Sequence, residues 1–153
     1  TDIYEAAVFP VLPSAAIEPR FLEWLFAARP ENNPEFSRRW LERLSPDERF
    51  DGIVLDPPTA AAAGRRFWSV RRDLEPLVQV SLARLRPGGA MLVCRNDRGG
   101  GRELRALVEC AATHAGVALA ELSPAPPGED FPSLPGFAEG DPFEGLLAVT
   151  QGV

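Results

Sequence analysis

The chain has 153 residues, 45% hydrophobic and 25% charged, which is enough for one compact domain with a real core and too few for two. Its formal charge of −6 is unevenly spread: residues 51 to 110 hold ten Arg against seven acids, whereas residues 111 to 153 hold six acids and no Arg or Lys. No apolar run approaches a bilayer span and no charged start leads into a continuous apolar stretch, so neither membrane insertion nor secretion is expected.

Tyr4 to Leu12 is apolar and partly β-like, but Pro10 and Pro13 interrupt it, which suits an edge strand or an extended arm. From Pro19 to Arg29 the residues Phe21, Leu22, Trp24, Leu25 and Phe26 predict a short buried helix. A second helix is expected after Asn33, with Pro34 as its first residue and Phe36, Trp40, Leu41 and Leu44 on one face. Ser45 to Arg49 then turns into a buried strand that ends in Asp56-Pro57-Pro58-Thr59. The two prolines fix φ and remove backbone donors, so the chain leaves the sheet stiffly extended, with a carboxylate at the edge where open α/β sheets bind ligands.

Thr59 to Gly64 reads as a small-residue loop, followed by Arg65 and Arg66. A long amphipathic helix is predicted next, with Leu74, Leu77, Val78, Leu82 and Leu85 on one face, ending before Pro87-Gly88-Gly89. Pro76 fits that helix only in its first turn. Ala90 to Cys94 is the next strand, Arg95 to Gly101 a polar turn, Arg102 to Ala115 a helix stopped by Gly116, and Val117 to Leu122 a further strand. A Pro/Gly-rich loop over residues 123 to 142 leads to a last strand, Gly145 to Val149, that is able to pair antiparallel. Strands alternating with helices imply right-handed crossovers and a mainly parallel sheet, hence an α/β fold.

All sixteen basic residues are Arg, which reflects base composition more simply than chemistry, although Arg is also a bidentate phosphate binder. Neither Cys94 nor Cys110 has the spacing of a metal site or disulfide framework, so no metal is expected and a reducing, cytoplasmic setting is. Cys110 reads as core, on the inward face of its helix. His114, the single histidine, has no evident partner and suits the last turn of a helix. Trp24 and Trp40 sit at core spacing, whereas Trp68 beside Phe67 either stacks on a base or covers the core.

Several segments in fixed order carry a resemblance: Phe50-Asp51 before Ile53-Val54-Leu55-Asp56-Pro57-Pro58-Thr59, then Arg71-Arg72-Asp73-Leu74, Leu85-Arg86-Pro87-Gly88-Gly89, Asn96-Asp97-Arg98-Gly99 and Phe143-Glu144-Gly145-Leu146-Leu147. Over residues 36 to 153 the chain resembles the carboxyl-terminal half of class I S-adenosylmethionine-dependent methyltransferases, in particular the family that modifies cytosine or guanine in large-subunit ribosomal RNA. The resemblance implies a Rossmann-like sheet with an antiparallel last strand, lacking the usual first strands, in one unit over residues 36 to 153 behind an amino-terminal segment, residues 1 to 35. Asp56 then orients the target base, Pro57, Pro58 and Thr59 complete the wall beside it, and S-adenosylmethionine is the methyl donor. Arg65, Arg66, Trp68, Arg71, Arg72, Asn96 and Arg98 become candidate RNA contacts. Thr59 is equally readable as a turn hydroxyl, Asp56 as a turn cap, and each Arg as part of a solvated helix entrance.

The sequence departs from that family in three places. It has no Gly-x-Gly turn after a first strand and no acidic residue ending an identifiable second strand, and only about 49 residues precede the Asp-Pro-Pro strand, too few for three strand–helix units. It therefore reads either as a fragment of a longer enzyme or as a shortened relative without its own donor site. Two alternatives follow: a methyltransferase-like module that binds RNA or a protein without catalysis, and a methyltransferase acting on a small molecule or a protein. Cytosine C5 methylation would need a thiolate near Cys94, but the Asn96 turn looks more like that of the 7-methylguanine type, leaving Cys94 in the core.

Overall fold

The apolar runs around Ile53 and Met91 are too short for helices and too apolar for a surface, and they become the centre of a sheet. The computed structural model describes residues 9–10, 34–63, 66–97, 102–127 and 143–152. In chain order the elements are strand β1 (Phe9–Pro10), helix α1 (Pro34–Arg43), strands β2 (Phe50–Leu55), β3 (Ala60–Ala63) and β4 (Arg66–Ser69), helix α2 (Val70–Leu82), strand β5 (Leu85–Asn96), helix α3 (Leu104–Ala115), and strands β6 (Leu119–Pro124) and β7 (Phe143–Thr150). The helix expected over Pro19 to Arg29 and most of the loop over 123 to 142 lie outside the described residues.

Five strands form the main sheet in the order β1-β2-β5-β7-β6. β2 and β5 pair in parallel, and β7 pairs antiparallel with both β5 and β6, so β2, β5 and β6 point one way with the reversed last strand inserted between them. The short β1 pairs antiparallel with β2 through Phe9 opposite Val54. Ile53, Leu55, Met91, Val93, Leu146 and Ala148 are buried in the sheet, and Leu74, Leu77, Val78 and Leu82 of α2 and Leu104, Leu107, Val108 and Ala111 of α3 close over them. Each fully buried aliphatic side chain contributes about 1.5–3 kcal/mol over leaving it in water.

The structure corrects several expectations. Leu85 belongs to a strand: α2 stops at Leu82, and Pro87-Gly88-Gly89 forms a bulge inside β5 instead of a helix terminator. Gly88 takes φ 76°, and a Cβ on Gly89 would lie 2.9 Å from the Arg86 carbonyl oxygen, so each glycine has its own reason to be there. Thr150 anchors the bulge by donating to the carbonyl of Arg86 at 2.9 Å. Pro76 sits mid-helix, not in the first turn; it is exposed, which leaves the carbonyl four residues back open to water. The loop expected over Thr59 to Gly64 is instead the β3–β4 hairpin, with Ala61 opposite Trp68. Cys110 is half-buried beside the inward stripe of α3, and His114 has a partner after all, Glu75.

The Gly116 stop acts as read, and Asn33, the expected cap before Pro34, lies outside the described residues. Gly116 ends α3 at φ 67°, with its N–H on the carbonyl of Thr113. At the start of α2 the buried Asp73 carboxylate accepts from the Ser69 N–H at 2.9 Å and from Arg72 at 2.7 Å, which gives the Arg-Asp segment a structural role.

Candidate functional site

Because β2 and β5 run in parallel, their carboxyl ends emerge at the same edge, with Leu55 opposite Val93. Asp56 follows directly and is exposed, Pro57 is buried and Pro58 half-buried, so the prolines fill the edge while the carboxylate stays at the surface. Thr59 ties the two strand ends together: its hydroxyl donates to the carbonyl of Asn96 at 2.6 Å, and its own carbonyl accepts from the N–H of Val70, the first residue of α2, at 3.0 Å. The turn-hydroxyl reading of Thr59 therefore holds for that atom. Its consequence is a rim in which Asp56 to Thr59 and Asn96 to Asp97 are held side by side.

Charges around the rim are paired. Arg71 reaches across from α2 to grip Asp97 through contacts of 2.7 to 3.1 Å, and the Asp97 carboxylate is largely buried beneath it. Arg72 is exposed but turned to Asp73 and the carbonyl of Phe67. Both guanidiniums remain half-open to solvent, so a second anion still has access to them.

Cys94 lies just below the rim, 6% exposed, its thiol pushed up to about 11 first by burial and then by the negative charge of Asp56. At pH 7 about one molecule in ten thousand would then carry the thiolate. That environment fits a core cysteine, with the Asp56 charge a lesser cause of the shift than burial.

Of the remaining predicted contacts, Arg65 and Arg98 lie outside the described residues, as does the side chain of Arg66. Trp68 is 2% exposed and part of the core, so it offers no face to a base; the exposed aromatic beside it is Phe67, at 59%. Arg95 went unnoticed in the sequence, where it reads as turn. It is a buried strand residue whose guanidinium donates to Glu144 at 2.6 Å and to the carbonyl of Arg102 at 2.8 Å, fastening the end of β5 to β7 and to the start of α3. An arginine at the end of an apolar run was the available signal. None of the helices among the described residues is long and apolar enough to cross a membrane.

No protein-family profile matches the chain. Over 62 residues it is 32% identical to the ribosomal RNA large subunit methyltransferase K/L of Allochromatium vinosum and 37% identical to that of Chromohalobacter salexigens, each match taking in 39% of this chain and 8% of the relative. A crystal structure of a protein assigned as a methyltransferase, complexed with S-adenosylhomocysteine, shares the fold with a TM-score of 0.51 at 16% identity, covering 76% of this chain and 30% of that one. The chain thus spans under a third of that solved relative, and its match spans under a tenth of the curated ones. Sequence and fold together bear out the resemblance to class I S-adenosylmethionine-dependent methyltransferases and the Rossmann-like α/β class that it implies.

Proposed function

We propose that the described residues form the base-facing half of a methyltransferase site that moves a methyl group from S-adenosylmethionine to a base in structured RNA, ribosomal RNA foremost. The observation that carries this reading is the rim itself, where an exposed carboxylate, two edge-filling prolines and the Thr59–Asn96 bond stand at the shared carboxyl end of a parallel strand pair. The donor's charge fits that edge, because the exposed Asp56 carboxylate favours a sulfonium cation. When bound, the donor supplies an electrophilic methyl group.

The chain's own residues have narrower tasks. Asp56 accepts a hydrogen bond from an exocyclic amino or ring N–H group of the base, which orients the base and offsets charge as the methyl transfers. Pro57 and Pro58 present a rigid wall for a base taken out of its stack. Placement carries most of the effect, since in-line displacement from a sulfonium asks little of strong acids or bases. Phe67 is available to stack on a neighbouring nucleotide, and Arg71 and Arg72 to approach phosphates with their open faces.

The test is transfer of labelled methyl groups from S-adenosylmethionine to large-subunit ribosomal RNA by a protein containing this chain, compared with Asp56→Ala. Loss of at least about a hundredfold in kcat, with donor binding retained, supports the reading. Equal rates in the two proteins refute the role of Asp56. Transfer to a small molecule or protein but not to RNA would move the chain to the other substrate class.

A further inference from the structure

α2 and α3 pack side by side, and their outer faces bring together three side chains that the proposed methyl transfer does not use. Cys110 and His114 are four residues apart on α3 and so share one face of that helix; Glu75 meets them from α2. His114 Nδ1 lies 3.8 Å from Cys110 Sγ and 3.4 Å from Glu75 Oε1, and the three donor atoms all lie within 4.8 Å of one another.

These separations are close enough for small side-chain rotations to bring all three atoms onto one ion. With Zn–S about 2.3 Å and Zn–N and Zn–O about 2.0–2.2 Å, the edges of a tetrahedron measure about 3.4–3.6 Å. The His–Glu edge already matches, and the Cys–His edge is a few tenths longer. The donor set of thiolate, imidazole and carboxylate suits a borderline-soft divalent cation. Arg102 holds the other oxygen of Glu75, Oε2, which leaves Oε1 to act alone. Cys110 is half-buried, Glu75 part-buried and His114 exposed, so an ion has a path from solvent and room for a water as fourth ligand.

We propose that Glu75, Cys110 and His114 form a divalent transition-metal site, with zinc the fitting ion, that clamps α2 to α3. Glu75 stands one helical turn after Arg71, so the clamp braces the same face of α2 that holds Asp97 at the rim. The neighbouring cation Arg102 weakens such a site and limits it to modest affinity.

The experiment is titration of the full chain with Zn²⁺ in competition with a chromophoric chelator, followed by Co²⁺ absorption spectra. The proposal expects one equivalent bound with a dissociation constant on the order of micromolar, weakened about tenfold or more in each of Cys110→Ser, His114→Ala and Glu75→Gln. Co²⁺ should give a thiolate-to-metal absorption that Cys110→Ser abolishes. Circular dichroism checks that the variants fold, and Cys94→Ala, as a control, should leave binding unchanged. No stoichiometric binding by the unmodified chain, or binding that survives both Cys110→Ser and His114→Ala in folded protein, would overturn the site.

Discussion

Replacing Thr59 by Val keeps the shape of the side chain and removes only the hydroxyl that joins the two strand ends at 2.6 Å. A net hydrogen bond contributes about 0.5–1.5 kcal/mol, and the lower half of that range applies here because the Asn96 carbonyl, on an exposed residue, regains water when the hydroxyl is gone. A loss of about 0.5–1 kcal/mol lowers Tm by roughly 1–4 °C in a chain of this size. Locally the same energy raises the opening of the rim about two- to fivefold. Hydrogen exchange reads that opening at the N–H of Val70, which bonds to the Thr59 carbonyl. Faster exchange at that amide, with a small drop in Tm, is the expected result. Unchanged exchange would mean that the bond does not hold the rim, and a loss above about 3 kcal/mol would mean that Thr59 supports far more than one exposed contact.

Three further perturbations test the frame around the rim. Pro76→Ala restores a donor for the Arg72 carbonyl at an exposed helix position and should stabilise the chain by about 1–3 kcal/mol in urea denaturation; a loss of stability would contradict the helix running through it. Gly89→Ala drives a Cβ to 2.9, 3.2 and 3.3 Å from the backbone oxygens of Arg86, Asp51 and Phe50, so a loss of about 1–3 kcal/mol by thermal unfolding is expected, and a neutral result would mean that the β5 bulge is not so tight. The Cys94 thiol, pushed up to about 11, is protonated in the fold where the unfolded thiol ionises from its ordinary 9.0. Stability is therefore complete below 9.0 and falls as pH rises through 9.0 toward 11, a loss that Cys94→Ala should flatten in alkaline unfolding curves; identical curves would contradict the buried thiol.

Sequence reading succeeded where one local signal dominates. The run from Ile53 to Asp56 is a strand however it is approached, Pro34 opens α1, and Gly116 stops α3 in the one conformation that favours glycine. It failed where a residue obeys two patterns at once. Leu85 lies at helical spacing from Leu74, and Pro87-Gly88-Gly89 punctuates a helix end as readily as a strand bulge, so only pairing with Phe50 decides for the strand. The β3–β4 hairpin is built partly from alanines, poor strand formers whose pairing depends on Trp68 entering the core, and that burial also removes Trp68 as a stacking surface. Partners far apart in sequence were equally hidden. Asp97 meets Arg71 across 26 residues, Glu144 meets Arg95 across 49, and Glu75 reaches His114 only because α2 packs on α3.

The most direct test of the account is calorimetric titration of the chain with S-adenosylhomocysteine, repeated on Asp56→Ala. A donor site at the β2–β5 edge predicts saturable binding with a dissociation constant on the order of micromolar, retained in Asp56→Ala because that carboxylate faces the base and S-adenosylhomocysteine carries no sulfonium charge. No saturable heat up to about millimolar ligand, from a chain shown to be folded, would contradict a donor site within this chain.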